Sequence, residues 1–405
     1  YEESVLLNTK FFEDKAVYQP AIAGILLYMV APLGMTMLPL LVGTVTEHLG
    51  FSDNQAGYLA SIDLLGIVVA AVSAPFWLNR FSRKKLASLG ISLLVLGNLW
   101  SMVSSSFYEL SSARFVAEVG SGIAFSLSLA VLGERQRPDR LFSLGIGSTI
   151  SLAVIVFLWL PDLITQYGFA TIFVTHLVMA LVIVFFIAWL PSYGDSQKST
   201  KDPLSNPVKA PYKRLLICFA GFFCFTVVEG GVWSYIERIG DYHGLSSSYI
   251  GNVLAITQVV SVCASIASTA LSTKYGRLFP ILFGGATFLV SLYLIQQNQS
   301  WLYLVGACMS QFAYIFTLPY LMLLCVELDP SGKYYVLTTA FKMGGFSVGP
   351  AIVASMLSGN GFIVVSWVGT VFMGSCLLLI VPLAYSLDKQ VIPQTIHSNN
   401  KFGDE

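Results

Sequence analysis

Apolar residues fall in long runs along nearly the whole chain, and short polar stretches separate the runs. A run of about twenty residues forms a helix long enough to span the roughly 30 Å of hydrocarbon in a bilayer. The pattern therefore predicts an all-α membrane protein with twelve transmembrane helices. We place them at about residues 20–46, 55–78, 86–105, 108–133, 141–160, 169–190, 213–236, 248–272, 278–296, 301–326, 335–358 and 362–386.

Two stretches of the chain align without a gap, which indicates an internal repeat. Each contains a polar cap, a membrane-length helix and a cationic turn. The matched positions keep one offset of 194 residues: Gly50 with Gly244, Ser52 with Ser246, Gly57 with Gly251, Arg80 with Lys274, and Arg83 with Arg277. We therefore expect two pseudo-symmetric six-helix bundles, residues 1–191 and 213–405, the second with a polar tail. A cytoplasmic linker rich in Ser, Lys, Asp and Pro joins them at 192–212.

Composition supports a membrane protein and disfavours several other classes. Hydrophobic residues make up 55% of the 405 positions and charged residues 11%, with 22 basic and 22 acidic side chains. This zero net charge argues against a nucleic-acid partner. The six cysteines and four histidines show no metal-ligand spacing, and no catalytic triad or phosphate-binding glycine loop is present. We expect no metal, no cofactor and no enzymatic activity.

The basic residues predict the orientation in the membrane. Lysine and arginine in short loops mark the cytoplasmic side. Alternate loops hold almost all of the basic residues outside the predicted helices, whereas the intervening loops contain only Arg238. This places both termini in the cytoplasm. We expect a monomer in the lipid bilayer of the plasma membrane, which in a bacterium is the inner membrane.

Three segments carry a family resemblance. Residues 75–84 are similar to the signature between helices 2 and 3 of the major facilitator superfamily, and residues 274–277 are a weaker copy of it. Arg114, followed by Gly120 and Gly122 on helix 4, is similar to a second signature of that family. The resemblance covers the whole chain. It implies two six-helix halves and transport by alternating access.

The departures from the first signature bear on gating. Its aspartate is Asn79 here, and its glycines are Pro75 and Ser82. In the family that aspartate takes part in a charge contact with the opposite half, so its absence implies a weaker or rewired inner gate. We expect the cations of the two turns to contact helix carbonyls or acidic groups across the seam between the halves. The candidate gating residues are Asn79, Arg80, Arg83, Lys84, Lys274 and Arg277.

Ionisable residues inside the predicted helices are candidates for binding substrate or protons, because buried charges are costly in a membrane. Counting along the helices puts Asp63 and Arg114 at similar depth, so they can form a structural salt bridge, and Glu118 one turn deeper on the face of Arg114. Glu229 lies in the outer half of helix 7 and Lys342 in the inner half of helix 11. For Glu118 and Glu229 we favour a functional role, since a carboxyl group removed from water can bind a proton near neutral pH.

Groups able to hold an organic ligand surround Glu229. They lie on helices 7 and 10: Trp233, Tyr235, Gln311 and Tyr314. The alternative is that these aromatics pack against lipid or neighbouring helices, with Trp233 and Tyr235 at the membrane interface. We expect Gly230 and Gly231 to loosen helix 7, as in a transporter helix that bends during gating.

The combined features favour a secondary active transporter that moves a small organic solute, with protons as the coupling ion. One alternative is an exporter of drugs or amphiphiles, including lipids. Residues 144–151 on helix 5 lack the Gly-Pro motif typical of the family's drug antiporters, which favours solute transport over drug export. A second alternative is a membrane receptor that senses its ligand without moving it.

Overall fold

The computed structural model describes residues 15–135, 137–192, 212–329 and 335–399, and within these ranges it contains no strand. Contacts divide the chain into two compact units, Tyr1–Ser199 and Thr200–Glu405. The expected linker at 192–212 lies almost entirely outside the described residues, so its limits stay a prediction.

Within the described residues, the N-terminal unit contains helices α1 to α6. The first is interrupted and consists of segments α1a, α1b and α1c. The bounds are Lys15–Val30, Leu33–Thr36 and Leu38–Leu49 for these segments, Asp53–Trp77 for α2, Arg83–Val103 for α3, Phe107–Gly133 for α4, Pro138–Tyr167 for α5 and Ala170–Val184 for α6.

The described part of the C-terminal unit contains helices α7 to α12. Their bounds are Tyr212–Tyr242 for α7, Ser247–Leu271 for α8, Leu278–Leu294 for α9, Ser300–Leu328 for α10, Tyr335–Leu357 for α11 and Ile363–Asn399 for α12.

The helices confirm the predicted membrane architecture. Among the described residues, ten helices are long and apolar enough to cross a bilayer, and two shorter apolar helices, Ala170–Val184 and Leu278–Leu294, complete the set of twelve. Prolines lie at the interruptions of the first helix. Pro32 precedes α1b, and Pro39 lies in the first turn of α1c, where its missing N–H costs no hydrogen bond.

The polar caps of the repeat begin equivalent helices in the two units. Gly50 and Gly244 adopt positive φ angles of 67° and 74°, which favour glycine. Two residues later, Ser52 and Ser246 are the N-caps of α2 and α8, and each hydroxyl accepts the backbone N–H three residues further on. The repeat therefore encodes the same turn and helix start twice.

Two helix ends differ from the expected ones. Helix α6 ends at Val184, and a short 3-10 turn, Ile187–Trp189, follows it, whereas we expected one helix to residue 190. Helix α12 continues to Asn399, although we expected a polar tail after residue 386. The carboxylate of Asp388 accepts the backbone N–H of Leu278 at 3.0 Å. This contact connects the polar end of α12 to the start of α9, so polarity did not mark a helix end.

Small residues allow α4 to pack closely on α2 and α3. A Cβ atom at Gly66 would lie 2.7 Å from the carbonyl oxygen of Phe115, and one at Gly122 would lie 2.6 Å from the Cβ of Ala70. Helix α4 carries the charged residues of the predicted site. The glycines therefore bring the backbone of α4 close to its neighbours and place those charges deep in the unit.

Glycines also allow α7 and α11 to pack closely against each other. A Cβ atom at Gly230 would lie 2.8 Å from the carbonyl carbon of Phe346, and one at Gly349 would lie 2.7 Å from the backbone nitrogen of Gly231. Helix α7 is unbroken through these positions. In this structure Gly230 and Gly231 permit close helix packing, and the expectation that they loosen the helix during gating stays a prediction.

Candidate functional site

A buried ionic cluster lies in the N-terminal unit. The Nε of Arg114 donates to Oδ1 of Asp63 at 2.7 Å, and its Nη2 donates to Oε1 of Glu118 at 2.6 Å. Asp63 and Glu118 are fully buried and Arg114 is 2% exposed. The predicted pairing of Asp63 with Arg114 is confirmed. Glu118 joins it because a residue four positions along the helix lies on the same face.

Three further residues surround the guanidinium of Arg114. Asn98 on α3 accepts a hydrogen bond from Nη1 at 3.1 Å, and the ring of Phe173 on α6 lies 5.5 Å from Cζ. His176 on α6 is also buried. It lines, with Arg114 and Asn98, a cavity of about 10 Å³, which is roughly the space that one water molecule requires. Sequence reasoning missed Asn98 and His176.

The interrupted first helix approaches the cluster directly. A Cβ atom at Gly34 in α1b would clash with Oε1 of Glu118, so any larger residue would displace this carboxyl group. One turn further along α4, Ser121 donates its hydroxyl to the carbonyl oxygen of Ala31 at 2.7 Å, where α1 is interrupted. Helix α1 is thereby held against the face of α4 that carries Glu118.

The charges of the cluster do not balance when all three groups are ionised. Two carboxylates share one guanidinium, which leaves a net charge of −1 on the trio. Oδ2 of Asp63 and Oε2 of Glu118 have no hydrogen-bond partner within the described part of the chain. One proton on either carboxyl group would make the trio neutral. Chemically, the cluster is therefore able to hold a single proton.

The C-terminal unit contains a second candidate group around Glu229. This side chain is 3% exposed, and it forms no ion pair with any residue that the structure describes. Tyr314 on α10 interacts with it electrostatically and stacks on Phe225, with ring centroids 5.6 Å apart. Gln311 lies one turn before Tyr314 and is half-buried. The structure thus brings Glu229 and Tyr314 together.

The remaining predicted residues of this unit occupy different environments. Trp233 is buried, and Tyr235 is fully buried and packs on Phe362 of α12, with ring centroids 6.2 Å apart. Tyr235 is therefore a core residue of the unit. Lys342 on α11 is half-buried and forms neither a hydrogen bond nor an ion pair with the residues described. The binding role of all three stays a prediction.

The arginines of the two cationic turns pair with carboxylates of their own unit. Arg83 contacts Glu134, and Arg277 contacts Glu327 and, at 2.9 Å, Oδ1 of Asp388. Partial burial lowers the pKa of Arg277, but the hydrogen bonds and charges of Glu327 and Asp388 outweigh it and raise the pKa above its ordinary value. Both arginines therefore have partners within their own unit, and the expected contacts across the seam between the halves stay a prediction.

The other predicted gating residues are less enclosed. Asn79, Arg80 and Lys274 are exposed, and Lys84 is half-buried. Within the described ranges, Arg80 forms no ion pair. The gating role of the turns stays a prediction.

Comparison with known proteins agrees with this architecture. Residues 24–354 match the family model of the Major Facilitator Superfamily. The cis,cis-muconate transport protein of Acinetobacter baylyi is 22% identical over 393 residues, which cover 89% of this chain and 92% of that protein. The multidrug resistance protein MdtL of a Shewanella species is 23% identical over 290 residues, 68% of this chain and 72% of that protein. A further curated relative is matched over only 62% of its own length.

A solved structure shows the same fold. The inward-open xylose transporter XylE from E. coli superposes with a TM-score of 0.70 at 13% identity, over 88% of this chain and 94% of that chain. At this identity the likeness concerns the fold alone. Since the family model matches most of the sequence, the chain belongs to the Major Facilitator Superfamily of multi-pass membrane transporters.

Proposed function

We propose that this protein is a secondary active transporter that moves a small organic solute by alternating access and couples this movement to protons. The observation that carries the proposal is the buried trio of Asp63, Arg114 and Glu118, in which two carboxylates share one guanidinium. Burying such groups costs several kcal/mol each, so membrane proteins keep them mainly where they serve ion or substrate pathways.

Glu118 is the member of the trio that we assign to the coupling proton. The backbone of α1b at Gly34 lies against Oε1 of this residue. A displacement of α1b relative to α4 would therefore change the space around the carboxyl group and its contact with Arg114. In this way the position of a helix and the presence of a proton would depend on each other, which is what coupling requires.

We assign the solute to the polar and aromatic groups near Glu229. Tyr314 and Gln311 can donate hydrogen bonds, the ring of Tyr314 can stack on a flat solute, and Lys342 can attract a negatively charged part of a solute. We assign Trp233 to the same solute-binding group. We place the protein as a monomer in the plasma membrane. The distribution of lysine and arginine in the loops supports a cytoplasmic position for both termini.

A second candidate function is export of drugs or other amphiphiles. The similarity to the multidrug resistance protein MdtL favours it. Cationic dyes would then be transported, and the imposed proton gradient would drive them out of the compartment that represents the cytoplasm.

A two-step experiment tests the proposal. Thermal stabilisation of the purified protein is first measured with cis,cis-muconate, xylose, nucleosides and cationic dyes. The compound with the largest effect is then followed in proteoliposomes with and without a pH gradient, while entrapped pyranine reports proton movement. We expect accumulation only with the gradient. Equal accumulation with and without the pH gradient would exclude proton coupling.

Carboxamide variants locate the coupling proton. We expect Glu118→Gln to abolish gradient-driven accumulation while exchange of the same compound continues, because the amide keeps the shape but binds no proton. Glu229→Gln tests the second candidate carboxyl group in the same way. Glu109→Gln is the matched control, since Glu109 lies on the same helix but is exposed. Unchanged uphill transport in both Glu118→Gln and Glu229→Gln would reject the assignment.

A further inference from the structure

A groove of about 660 Å³ opens at one end of the C-terminal unit. The turn at residues 273–277, the first two turns of α9 and the stretch of α12 from Tyr385 to Lys389 line it. This volume lies within the range of pockets that bind small molecules. The turn between α8 and α9 carries positive charge, and the adjoining part of α9 is apolar. The groove therefore joins a polar end to an apolar end.

The ionic groups at the groove leave one positive charge over. Arg277 is paired with both Asp388 and Glu327, which together carry one negative charge more than it neutralises, and Asp388 also accepts the backbone N–H groups of Arg277 and Leu278 at 2.9 and 3.0 Å. Lys274 and Lys389 line the same groove, and neither forms an ion pair with the residues that the structure describes. The ammonium of Lys389 lies 4.6 Å from the ring centroid of Tyr385. The polar end is therefore complementary to an anion.

An exposed aromatic row extends from these lysines along α9. Tyr275, Phe279 and Phe283 follow at intervals of four residues, with centroid distances of 6.3 and 6.2 Å between successive rings. They are 70%, 54% and 46% exposed. Tyr275 lies in the turn before α9, whereas Phe279 and Phe283 lie four residues apart on one face of that helix. The ring contacts therefore form a continuous apolar strip from the turn into the membrane-spanning region.

We propose that this groove binds one anionic phospholipid. Lys274 and Lys389 hold the phosphate, and an acyl chain lies along Phe279 and Phe283. Free phosphate would use the lysines but leave the aromatic strip uncovered, whereas a phospholipid occupies both ends. Basic pockets beside transmembrane helices are suited to lipid head groups. The bound lipid would bridge the turn before α9 and the stretch of α12 around Asp388, where Arg277 and Asp388 already join them.

The proposal does not depend on transport, so purified full-length protein in detergent is sufficient to test it. Dioctanoyl phosphatidylglycerol is titrated while the melting temperature is recorded, and dioctanoyl phosphatidylcholine serves as the zwitterionic comparison. We expect stabilisation by phosphatidylglycerol at much lower concentration. In the variant with Lys274→Gln and Lys389→Gln, half-maximal stabilisation should need roughly 30-fold more lipid, since each lysine near an anionic head group contributes a factor of about five.

Matched variants separate this site from general attraction to charge. Arg80→Gln with Lys85→Gln removes two exposed cations from the equivalent turn of the N-terminal unit, where we expect the lipid titration to be unchanged. Phe279→Ala tests the apolar end and should weaken phosphatidylglycerol binding while both lysines remain. Equal titrations for wild type and the double lysine variant would overturn the proposal. Equal loss in the Arg80 and Lys85 variant, or equal stabilisation by inorganic phosphate, would also overturn it.

Discussion

Arg114 is the residue on which the buried cluster depends. It is the cation shared by Asp63 and Glu118, and it also donates to Asn98. Each carboxylate contributes one acceptor to this guanidinium and keeps its second oxygen without a partner in the described residues. The three charges are therefore not equivalent. Removing the cation leaves two negative charges together, whereas removing one carboxylate leaves a balanced pair.

This asymmetry predicts unequal losses of stability. We expect Arg114→Gln to lower the free energy of unfolding by roughly 3–5 kcal/mol, because it leaves buried charges uncompensated. Asp63→Asn should cost less, about 1.5–3 kcal/mol, since it removes one charged hydrogen bond but retains the pair of Arg114 with Glu118. SDS titration in mixed micelles measures both values.

The double variant Asp63→Asn with Arg114→Gln provides the decisive comparison. It leaves one buried carboxyl group, so its loss should be smaller than that of Arg114→Gln alone. Glu109→Gln, an exposed carboxylate on the same helix, should change stability by less than about 0.5 kcal/mol. Additive losses in the double variant would show that the charges of Asp63 and Arg114 are not coupled.

Depth along the helices predicted part of this cluster but not all of it. Asp63 and Arg114 are charged residues in apolar helices, which marks them as unusual. Their similar depth in the membrane predicted that the two side chains contact each other. Asn98 and His176 carry no obligatory charge, and a single neutral polar residue in a helix does not reveal which face it occupies. The contact with Gly34 depends on the interruption of α1. Prolines predict such a break, but not the direction in which the backbone continues.

At the scale of whole elements, the hydrophobic runs predicted which segments form helices, but they predicted less well where those helices end. Each run marks a segment that must lie in hydrocarbon, and each of these segments contains a helix in the structure. Helix α6 ends early at Val184 although apolar residues continue beyond it. Helix α12 extends past Asp388, whose charge is satisfied by Arg277. An end therefore depends on tertiary partners that the hydropathy of the segment does not contain.

The close packing of α7 against α11 predicts which glycines the fold requires. We expect Gly230→Ala and Gly349→Ala each to destabilise the protein by roughly 1–3 kcal/mol, because the added methyl group would overlap the backbone of the facing helix. Gly344→Ala is the matched control, since a Cβ atom there would have only Phe223 nearby, at 3.9 Å. Melting temperatures of the three variants in detergent provide the measurement.

The control also distinguishes packing from helix flexibility. Alanine stabilises a helix interior by up to about 1 kcal/mol relative to glycine. If the glycines served only to loosen the helices, all three substitutions would raise the melting temperature. A decrease confined to Gly230→Ala and Gly349→Ala would support the close approach of the two helices.

At the scale of the whole molecule, the sequence repeat places one arginine–glutamate pair in each half. Arg83 with Glu134 and Arg277 with Glu327 join equivalent turns to the ends of α4 and α10. The glutamates are 33% and 27% exposed, so each pair contributes a few tenths to about 1 kcal/mol. Such energies are too small to fix a conformation, but they can shift a two-state equilibrium up to about fivefold.

These pairs lead to the prediction for transport rates. We expect Arg83→Ala and Arg277→Ala to slow transport in proteoliposomes while the affinity for the transported compound stays within about twofold, because neither residue lies among the proposed binding groups. Arg277→Ala should have the larger effect, since it also loses Asp388. Lys85→Ala, at an exposed cation beside the first turn without an ion pair in the described residues, is the control. Exchanging the two charges, as Arg83→Glu with Glu134→Arg, should restore the transport rate that is lost in Arg83→Glu alone, because the attraction between the two side chains is retained when their charges are exchanged. A reversed pair as slow as the single variant would show that the turn acts through some property of Arg83 other than its charge contact with Glu134.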